Sequence, residues 1–286
     1  MGNRLAELAL ASGHDVISAY RDHLPLHGKP IALDLTHASE VRKVVSRVHP
    51  DAIINTAAMT DVDKCESEPE AAFTTNARAV SNVARAAKET DSFFVQVSTD
   101  YVFDGKRGSY SENDETRPVN KYGESKLEGE KAVRNELDGE SWSIARSSVV
   151  YGWGRASRPN AATYVYEKLA KGESIRMVRD QFCSPTLNTS LSAMLIEVAE
   201  RELPGIIHVA GATRLNRFDF AMGLAKTFGL DATLITAVDA NDLKWKAKRP
   251  ADSSLMVERA QGLLRATPLN IDHAYESLHR EHVKSS

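Results

Sequence analysis

The chain has 286 residues, of which 42% are hydrophobic, and its 36 basic and 39 acidic side chains give a net charge of -3. That length can bury a large core, as one elaborated domain or as a domain with a small lobe. The balanced charge predicts no nucleic-acid surface, and no apolar run approaches the roughly 20 residues of a membrane span. The N-terminus has no signal-peptide pattern, and two cysteines, Cys65 and Cys183, fit a reducing cytoplasm.

Helical and strand patterns alternate from the start of the chain. Apolar spacing predicts a helix from Gly2 to Ala11, which Gly13 would end as a C-cap glycine. Thr36 is predicted to cap a helix that runs to Val48. Strands are predicted at 15–20, 31–35, 52–57, 93–99 and 142–146, and further helices at 76–87 and 121–136. Apolar strands separated by helices indicate a parallel sheet covered on both faces, so we predict a doubly wound, Rossmann-like α/β fold.

The pattern loosens after residue 152, which we take as the boundary between a dinucleotide-binding domain (1–152) and a mainly substrate-binding lobe (153–286). Segment 189–211 is predicted to return to the sheet, because it holds a helix and a strand at 205–211. The remaining helices are predicted at 161–171, 217–228 and 272–280. Such a lobe would lie over the carboxyl ends of the strands, where ligands of these sheets bind.

The beginning of the dinucleotide fold lacks its first strand and most of its Gly-rich turn. Gly2 can be the last glycine of that turn, but an average strand of about five to six residues does not fit before it. The sheet would then lose a central ladder partner, and a pyrophosphate would lose most of its backbone cradle. We expect a gene start placed too late; the alternatives are a fragment, or a protein that truly lacks the strand.

The residues with the clearest chemistry are Thr99, at the end of an apolar strand, and Tyr122 and Lys126, one helical turn apart. A free tyrosine has a pKa of about 10, and a nearby ammonium is expected to lower it. The three together can move a proton to or from a sugar or alcohol oxygen. A second pair with the same spacing, Tyr164 and Lys168, follows no such strand and is interpreted as a helix-surface pair.

Several ordered motifs resemble the extended short-chain dehydrogenase/reductases, and within them the dTDP-4-dehydrorhamnose reductase branch. These are segments 97–105 and 118–130, segment 55–63, segment 180–186, and Arg249-Pro250. The resemblance implies that Thr99, Tyr122 and Lys126 are catalytic and that Tyr122 and Lys126 also contact the cofactor. It implies further cofactor positions at Gly2, Asp34, Leu35, Ala57, Ala58, Thr60 and Asn76.

The cofactor and substrate residues follow from position and resemblance. Arg21, at the end of the second strand of the fold, favours a 2′-phosphate and hence NADPH over NADH, although Asp22 stands beside it. The resemblance implies that Tyr101 and Val102 line the sugar site and that Asn160 and Gln181 reach the nucleotide. No metal site is predicted, and a homodimer is compatible with the family.

The function predicted from the sequence is NADPH-dependent reduction of a 4-keto group on a nucleotide-linked deoxysugar, as in making dTDP-L-rhamnose. One alternative is a non-catalytic regulatory subunit resembling the methionine adenosyltransferase β subunit, which has similar motifs. Another is a nucleotide-sugar epimerase or dehydratase. A dehydratase would usually need an acidic pair beside Thr99, where only Asp100 is present before Tyr101.

Overall fold

The computed structural model describes residues 1–154 and 159–285. The helices are α1 (Gly2–Ala11), α2 (Ala38–Val48), α3 (Val62–Ser67), α4 (Pro69–Phe73), α5 (Ala79–Glu89), α6 (Lys121–Glu136), α7 (Ala161–Ala170), α8 (Asn188–Glu200), α9 (Arg217–Phe228), α10 (Glu258–Leu263) and α11 (Ile271–Ser285). The strands are β1 (Ile17–Tyr20), β2 (Lys29–Ala32), β3 (Ala52–Asn55), β4 (Phe93–Thr99), β5 (Trp142–Ser147), β6 (Val150–Tyr151), β7 (Ile175–Val178), β8 (Phe182–Cys183), β9 (Thr186–Leu187), β10 (Gly205–His208), β11 (Leu215–Asn216) and β12 (Ile235–Val238). Within these two described ranges, no helix is both long and apolar enough to cross a membrane.

The central sheet is parallel, as predicted, and has the order β10-β5-β4-β3. Strands β1 and β2 form a separate parallel pair. Among the described residues, β1 and β3 each pair with one neighbour only. In a doubly wound sheet the first strand lies between the strands that correspond to β1 and β3, so the division falls at the position of that strand.

Both faces of the central sheet are covered. One face packs against α1 and α8 through an apolar cluster that includes Leu5, Leu191 and Ile207. The other face packs against α2, α5 and α6, whose buried residues include Val83 and Val133. A third cluster joins α7, α9 and α11 beyond the carboxyl ends of the strands. Segment 189–211 supplies α8 and β10, and β10 is an edge strand of the central sheet.

Local sequence patterns predict some helix ends correctly and others wrongly. Gly13 has φ +91°, and the His14 amide donates to the Ala9 carbonyl while the Gly13 amide donates to Leu10, which is a Schellman motif after α1. The N-cap of α2 is His37, so the prediction of Thr36 as the cap is wrong. Thr36 donates instead to Asp34, through both its amide and its hydroxyl.

The predicted helix at 76–87 is part of a longer and irregular helical region. It begins as α4, passes through a π-helical segment at Thr74–Arg78, and continues as α5 to Glu89. Single π turns inside helices are frequently found at functional sites. This one contains Asn76, whose side chain is fully buried.

Candidate functional site

The tip of strand β4 carries two hydrogen-bonded polar side chains. The Thr99 hydroxyl donates to Asp100 Oδ1 at 3.0 Å and accepts from the Tyr101 amide at 3.2 Å. Asp100 is buried, and its Oδ2 accepts hydrogen bonds from the hydroxyls of Ser148 and Ser253. Burial raises the pKa of Asp100, and the three hydroxyl donors oppose that rise. Asp100 therefore fixes the strand tip and is fully occupied by its neighbours.

Helix α6 begins directly beside this tip. Its N-cap is Asn120, whose side-chain oxygen accepts from the Gly123 amide at 2.8 Å. A Cβ at Gly123 would lie 2.2 Å from the Tyr101 carbonyl oxygen, so only glycine allows the first turn to approach so closely. This contact sets the distance between α6 and the end of β4.

Tyr122 is half-buried and lies against that strand end. Its phenol lies near Thr99, and its ring meets the Tyr101 ring edge-on with centroids 5.7 Å apart. Loss of solvent around the phenol raises the pKa of Tyr122, and the nearby Thr99 hydroxyl opposes that rise. The prediction that a Lys126 ammonium leaves the phenol with a lowered pKa is therefore wrong for this structure, because desolvation outweighs the favourable contacts.

Lys126 lies one turn further along the same face of α6 and is buried. Its ammonium donates to the Val97 carbonyl at 2.8 Å. Burial lowers the pKa of Lys126 to about 8, and the negative charge of Glu130 opposes that change. The structure thus brings Thr99, Tyr122 and Lys126 together.

The residues predicted at the cofactor lie along the ends of β1, β2 and β3. A Cβ at Gly2 would lie 3.2 Å from Thr56 Oγ1, so the start of α1 packs closely on the end of β3. No side chain caps the first turn of α1; the Arg4 and Leu5 amides donate to the Met1 carbonyl, so only the amides of Gly2 and Asn3 could face an anion.

The charges near the end of β1 belong to Arg21 and its acidic neighbours. Arg21 forms a solvent-exposed ion pair with Asp22. Hydrogen bonds from Thr36 are the main cause of the lowered pKa of Asp34, and the positive charge of Arg21 adds to that effect, so Arg21 and Asp34 are near one another. Arg21 is thus flanked by two carboxylates, and its contact with a cofactor phosphate stays a prediction.

The loop after β3 holds the other cofactor candidates. Ala57 donates its amide to Asn55 Oδ1, Leu35 packs against the α2–α5 cluster, and Ala58 and Thr60 are half-buried and exposed respectively. Asn76 bonds both the amide and the carbonyl of Met59 and donates to Ser125 Oγ on α6 at 2.9 Å. Asn76 therefore joins the β3 loop to the helix that carries Tyr122.

A narrow recess lies beside Tyr101, with a cavity volume of about 10 Å³, which is room for about one water molecule. It is lined by Tyr101, Gln181, Phe182, Cys183, Arg217, Pro250 and Ser253. Arg217 lies within hydrogen-bonding reach of Tyr101 and stays charged. Arg217 is a site residue that the sequence patterns did not reveal; its only signal is a cation placed immediately after Asn216, which caps α9.

The structure gives other predicted substrate residues different surroundings. Val102 is fully buried in an apolar cluster with Phe103 and Leu127 and is not in the lining of the recess. Asn160 caps α7, accepting from the Ala162 and Thr163 amides and donating to the Gly152 carbonyl. Both side chains thus have structural uses, and their contact with substrate stays a prediction.

Two further features bear on the site. Val149, next to Ser148, has φ +38°, which is a costly conformation for a β-branched residue and is typically found near functional sites. The second Tyr–Lys pair differs from the first: Tyr164 is exposed and Lys168 pairs with Glu173 in solvent. No group of three or more potential metal ligands occurs within residues 1–154 and 159–285.

Parallel strands with a tyrosine, a lysine and a threonine at their carboxyl ends define an α/β protein with a dinucleotide-type site. The family model described as "RmlD substrate binding domain" matches residues 1–280. The chain belongs to this family.

Relatives and solved structures agree with that assignment. The probable low-salt glycan biosynthesis reductase Agl14 of Haloferax volcanii is 34% identical over 92% of this chain and 89% of its own length. The dTDP-4-dehydrorhamnose reductase of Salmonella typhimurium is 35% identical over 83% and 82%. The methionine adenosyltransferase 2 subunit beta of Danio rerio is 29% identical over 80% of this chain and 71% of its own length.

Among solved structures, the hypothetical dTDP-4-dehydrorhamnose reductase of Sulfolobus tokodaii is 38% identical, with a TM-score of 0.83 and coverage of 94% and 93% of the two chains. The dTDP-4-dehydrorhamnose reductase of Bacillus anthracis, in complex with NADP, is 30% identical, with a TM-score of 0.82 and coverage of 88% and 89%. The Rossmann-like fold predicted from the sequence is therefore confirmed.

Proposed function

We propose that this chain is an NADPH-dependent reductase of a 4-keto, nucleotide-linked deoxysugar, with Tyr122 as the proton donor. The observation that carries the proposal is that Tyr122 lies beside the buried Thr99 at the end of β4 and one turn from the buried Lys126. The names of the relatives and the NADP in the Bacillus anthracis structure support the same reaction class.

The cofactor would be held at the carboxyl ends of β1, β2 and β3. Arg21 would bind the 2′-phosphate of NADPH, and Asp34 and Leu35 would lie beside the adenine. The first turn of α1, at Gly2, would bind a phosphate of the cofactor. Ala57, Ala58 and Thr60 would follow the cofactor along the β3 loop, which Asn76 holds. When bound, the nicotinamide supplies the hydride.

Side chains of the protein would supply the proton that the reduction needs. Because loss of solvent raises the pKa of Tyr122, the phenol stays protonated at neutral pH and is ready to donate to the carbonyl oxygen. Thr99 would donate a second hydrogen bond to that oxygen, exchanging its bond to Asp100. Lys126, when charged, stabilises the phenolate that is left and can bond the cofactor ribose.

The substrate's remaining groups would bind at the surface around the mouth of the recess, because the recess itself has room for about one water only. Tyr101 is shared between the recess and the Tyr122 contact, so a sugar whose carbonyl meets Tyr122 extends toward Gln181 and Arg217. Asp100 has no role as a free acid in this proposal, because three hydroxyls occupy it, which disfavours a dehydratase. The two buried free cysteines fit the reducing cytoplasm, where we place the protein.

The test is oxidation of NADPH, followed by its absorbance, when a dTDP-4-keto-6-deoxyhexose is added. Tyr122→Phe is expected to lower kcat by about 10²- to 10⁴-fold, since it removes the proton donor. Tyr164→Phe is the matched control, because it makes the same change in the exposed Tyr–Lys pair and should leave kcat unchanged.

A folded wild-type protein that binds NADPH but turns over no keto sugar would contradict the proposal. Stable association with a second enzyme, unaffected by Tyr122→Phe, would favour the regulatory-subunit alternative that the similarity to methionine adenosyltransferase subunit beta raises.

A further inference from the structure

Glu130 is a fully buried carboxylate on α6, one turn beyond Lys126. Its Oε1 accepts from Ser98 Oγ at 2.6 Å and from Arg146 Nε at 2.9 Å, and its Oε2 accepts from an Arg146 terminal nitrogen at 2.7 Å. Ser98 immediately precedes Thr99 on β4, and Arg146 lies on β5. One carboxylate therefore ties the helix of Tyr122 and Lys126 to the strand of Thr99.

A buried ion pair is a costly way to attach a helix to a sheet. Removing two charges from water costs several kcal/mol per ion, and well-packed apolar residues often serve as well or better. Here the cost is not even fully offset, because one terminal nitrogen of Arg146 has no hydrogen-bond partner within the described part of the chain. The Glu130–Arg146 pair therefore suggests a role other than holding α6 against the sheet.

The charged groups around Lys126 point to that role. Tyr122 and Glu130 lie on the same helix as Lys126. Arg146 on β5 forms an ion pair with Glu130. Asp100, at the tip of β4, accepts hydrogen bonds from three hydroxyls. His208 on β10 is neutral at physiological pH, because burial and Arg146 lower its pKa to about 4. Of these groups, Glu130 is the one whose charge favours the ammonium form of Lys126.

We propose that Glu130 is a positioning residue for the reaction: anchored by Ser98 and Arg146, it aligns α6 with the tip of β4 and keeps Lys126 charged beside Tyr122. The kinetic part of this inference rests on the proposed function. The electrostatic part does not, because the coupling between Glu130 and Lys126 can be measured without turnover.

The kinetic test compares pH profiles of kcat/KM for wild type and Glu130→Gln. Lys126 loses its proton near pH 8, so activity should fall above that pH. Glu130→Gln keeps the shape of the side chain but removes the charge, and it should move this alkaline limb down by about one pH unit. Glu136→Gln, on the same helix but bonded to Ser81 and Arg85 near the surface, should leave the limb where it is.

The test without turnover measures the free energy of unfolding between pH 6 and pH 10.5. The folded-state pKa of Lys126, about 8, is below its ordinary value of 10.5. Between these two pH values the unfolded chain holds a proton that the folded chain does not, so stability gains a component that rises with pH. Subtracting the curve of Lys126→Met isolates that component.

In Glu130→Gln, the rise in the free energy of unfolding should begin about one pH unit lower than in wild type. The double variant Glu130→Gln with Lys126→Met should show no such rise. A Glu130→Gln curve displaced by a constant amount at every pH would show a structural role only and would overturn the inference. If the coupling between Glu130 and Lys126 were found but the protein reduced no keto sugar, the electrostatic inference would stand. The proposed function would then be overturned instead.

Discussion

At the scale of single residues, Arg217 sets the charge of the recess beside Tyr101. Among the residues that the structure describes, it forms no ion pair, and the carboxylate acting on it, Asp100, is committed to three hydroxyls. A cation in that position suits phosphate oxygens, which a nucleotide sugar carries one sugar ring away from its keto oxygen. Arg217 is therefore the residue on which we expect nucleotide affinity to depend.

Arg217→Gln should weaken binding of dTDP by about 10- to 100-fold, since a charged hydrogen bond contributes about 1.5–3 kcal/mol. Calorimetric titration with dTDP measures this directly and needs no turnover. The control is Arg179→Gln, which removes an exposed cation paired with Asp239 and should leave dTDP affinity unchanged. Equal affinities for all three proteins would exclude Arg217 from the nucleotide site.

At the scale of elements, the position of α6 depends on glycine contacts. A Cβ at Gly129 would lie 2.2 Å from the Asn76 carbonyl oxygen in the π-helical segment. Gly129→Ala should therefore push α6 away from the π-helical segment and lower the free energy of unfolding by about 1–3 kcal/mol. Urea denaturation measures the loss, and because α6 also carries Tyr122, kcat should fall with it.

Gly262 offers a matched comparison for that change. It lies in helix α10, and a Cβ added there would meet no atom within 4 Å, so Gly262→Ala should be neutral or stabilise by up to about 1 kcal/mol. If both alanine variants were equally stable, the close approach of α6 to the π segment would not be a rigid contact.

The elements that sequence patterns predict well are those whose signals are local. Helices α1 and α6 and strands β4 and β5 follow from apolar spacing and nearby caps. The cluster around Asp100 does not, because Ser148 and Ser253 lie 48 and 153 residues away along the chain. The rise in the pKa of Tyr122 was missed for a related reason: desolvation is set by tertiary packing, while the Tyr–Lys spacing is visible in the sequence.

At the scale of the whole molecule, the parallel strands of the N-terminal half divide between two sheets, β1-β2 and β10-β5-β4-β3, and β1 and β3 are edge strands of these sheets. Within residues 1–154 and 159–285, β1 pairs only with β2 and β3 only with β4. Strand β3 is apolar yet only partly covered at Ala52, Ile53 and Ile54, and Ile17 of β1 is exposed. In a doubly wound sheet, the strands that correspond to β1 and β3 lie on either side of one strand position.

A strand added at that position should therefore stabilise the molecule and improve its cofactor site. We predict that joining an apolar segment of about six residues and a Gly-x-x-Gly turn ahead of Met1 raises Tm by several degrees, because it satisfies the open edges of both β1 and β3. NADPH should then bind more tightly and raise Tm further by mass action, since the turn adds amides beside the start of α1.

The control for this extension is the same segment with prolines at alternate strand positions, which cannot donate to either ladder. Thermal melts with and without NADPH compare the two extended proteins with the chain that starts at Met1. If the proline extension raised Tm and NADPH affinity as much, strand pairing would not be the cause, and the two sheets would not be halves of one interrupted sheet.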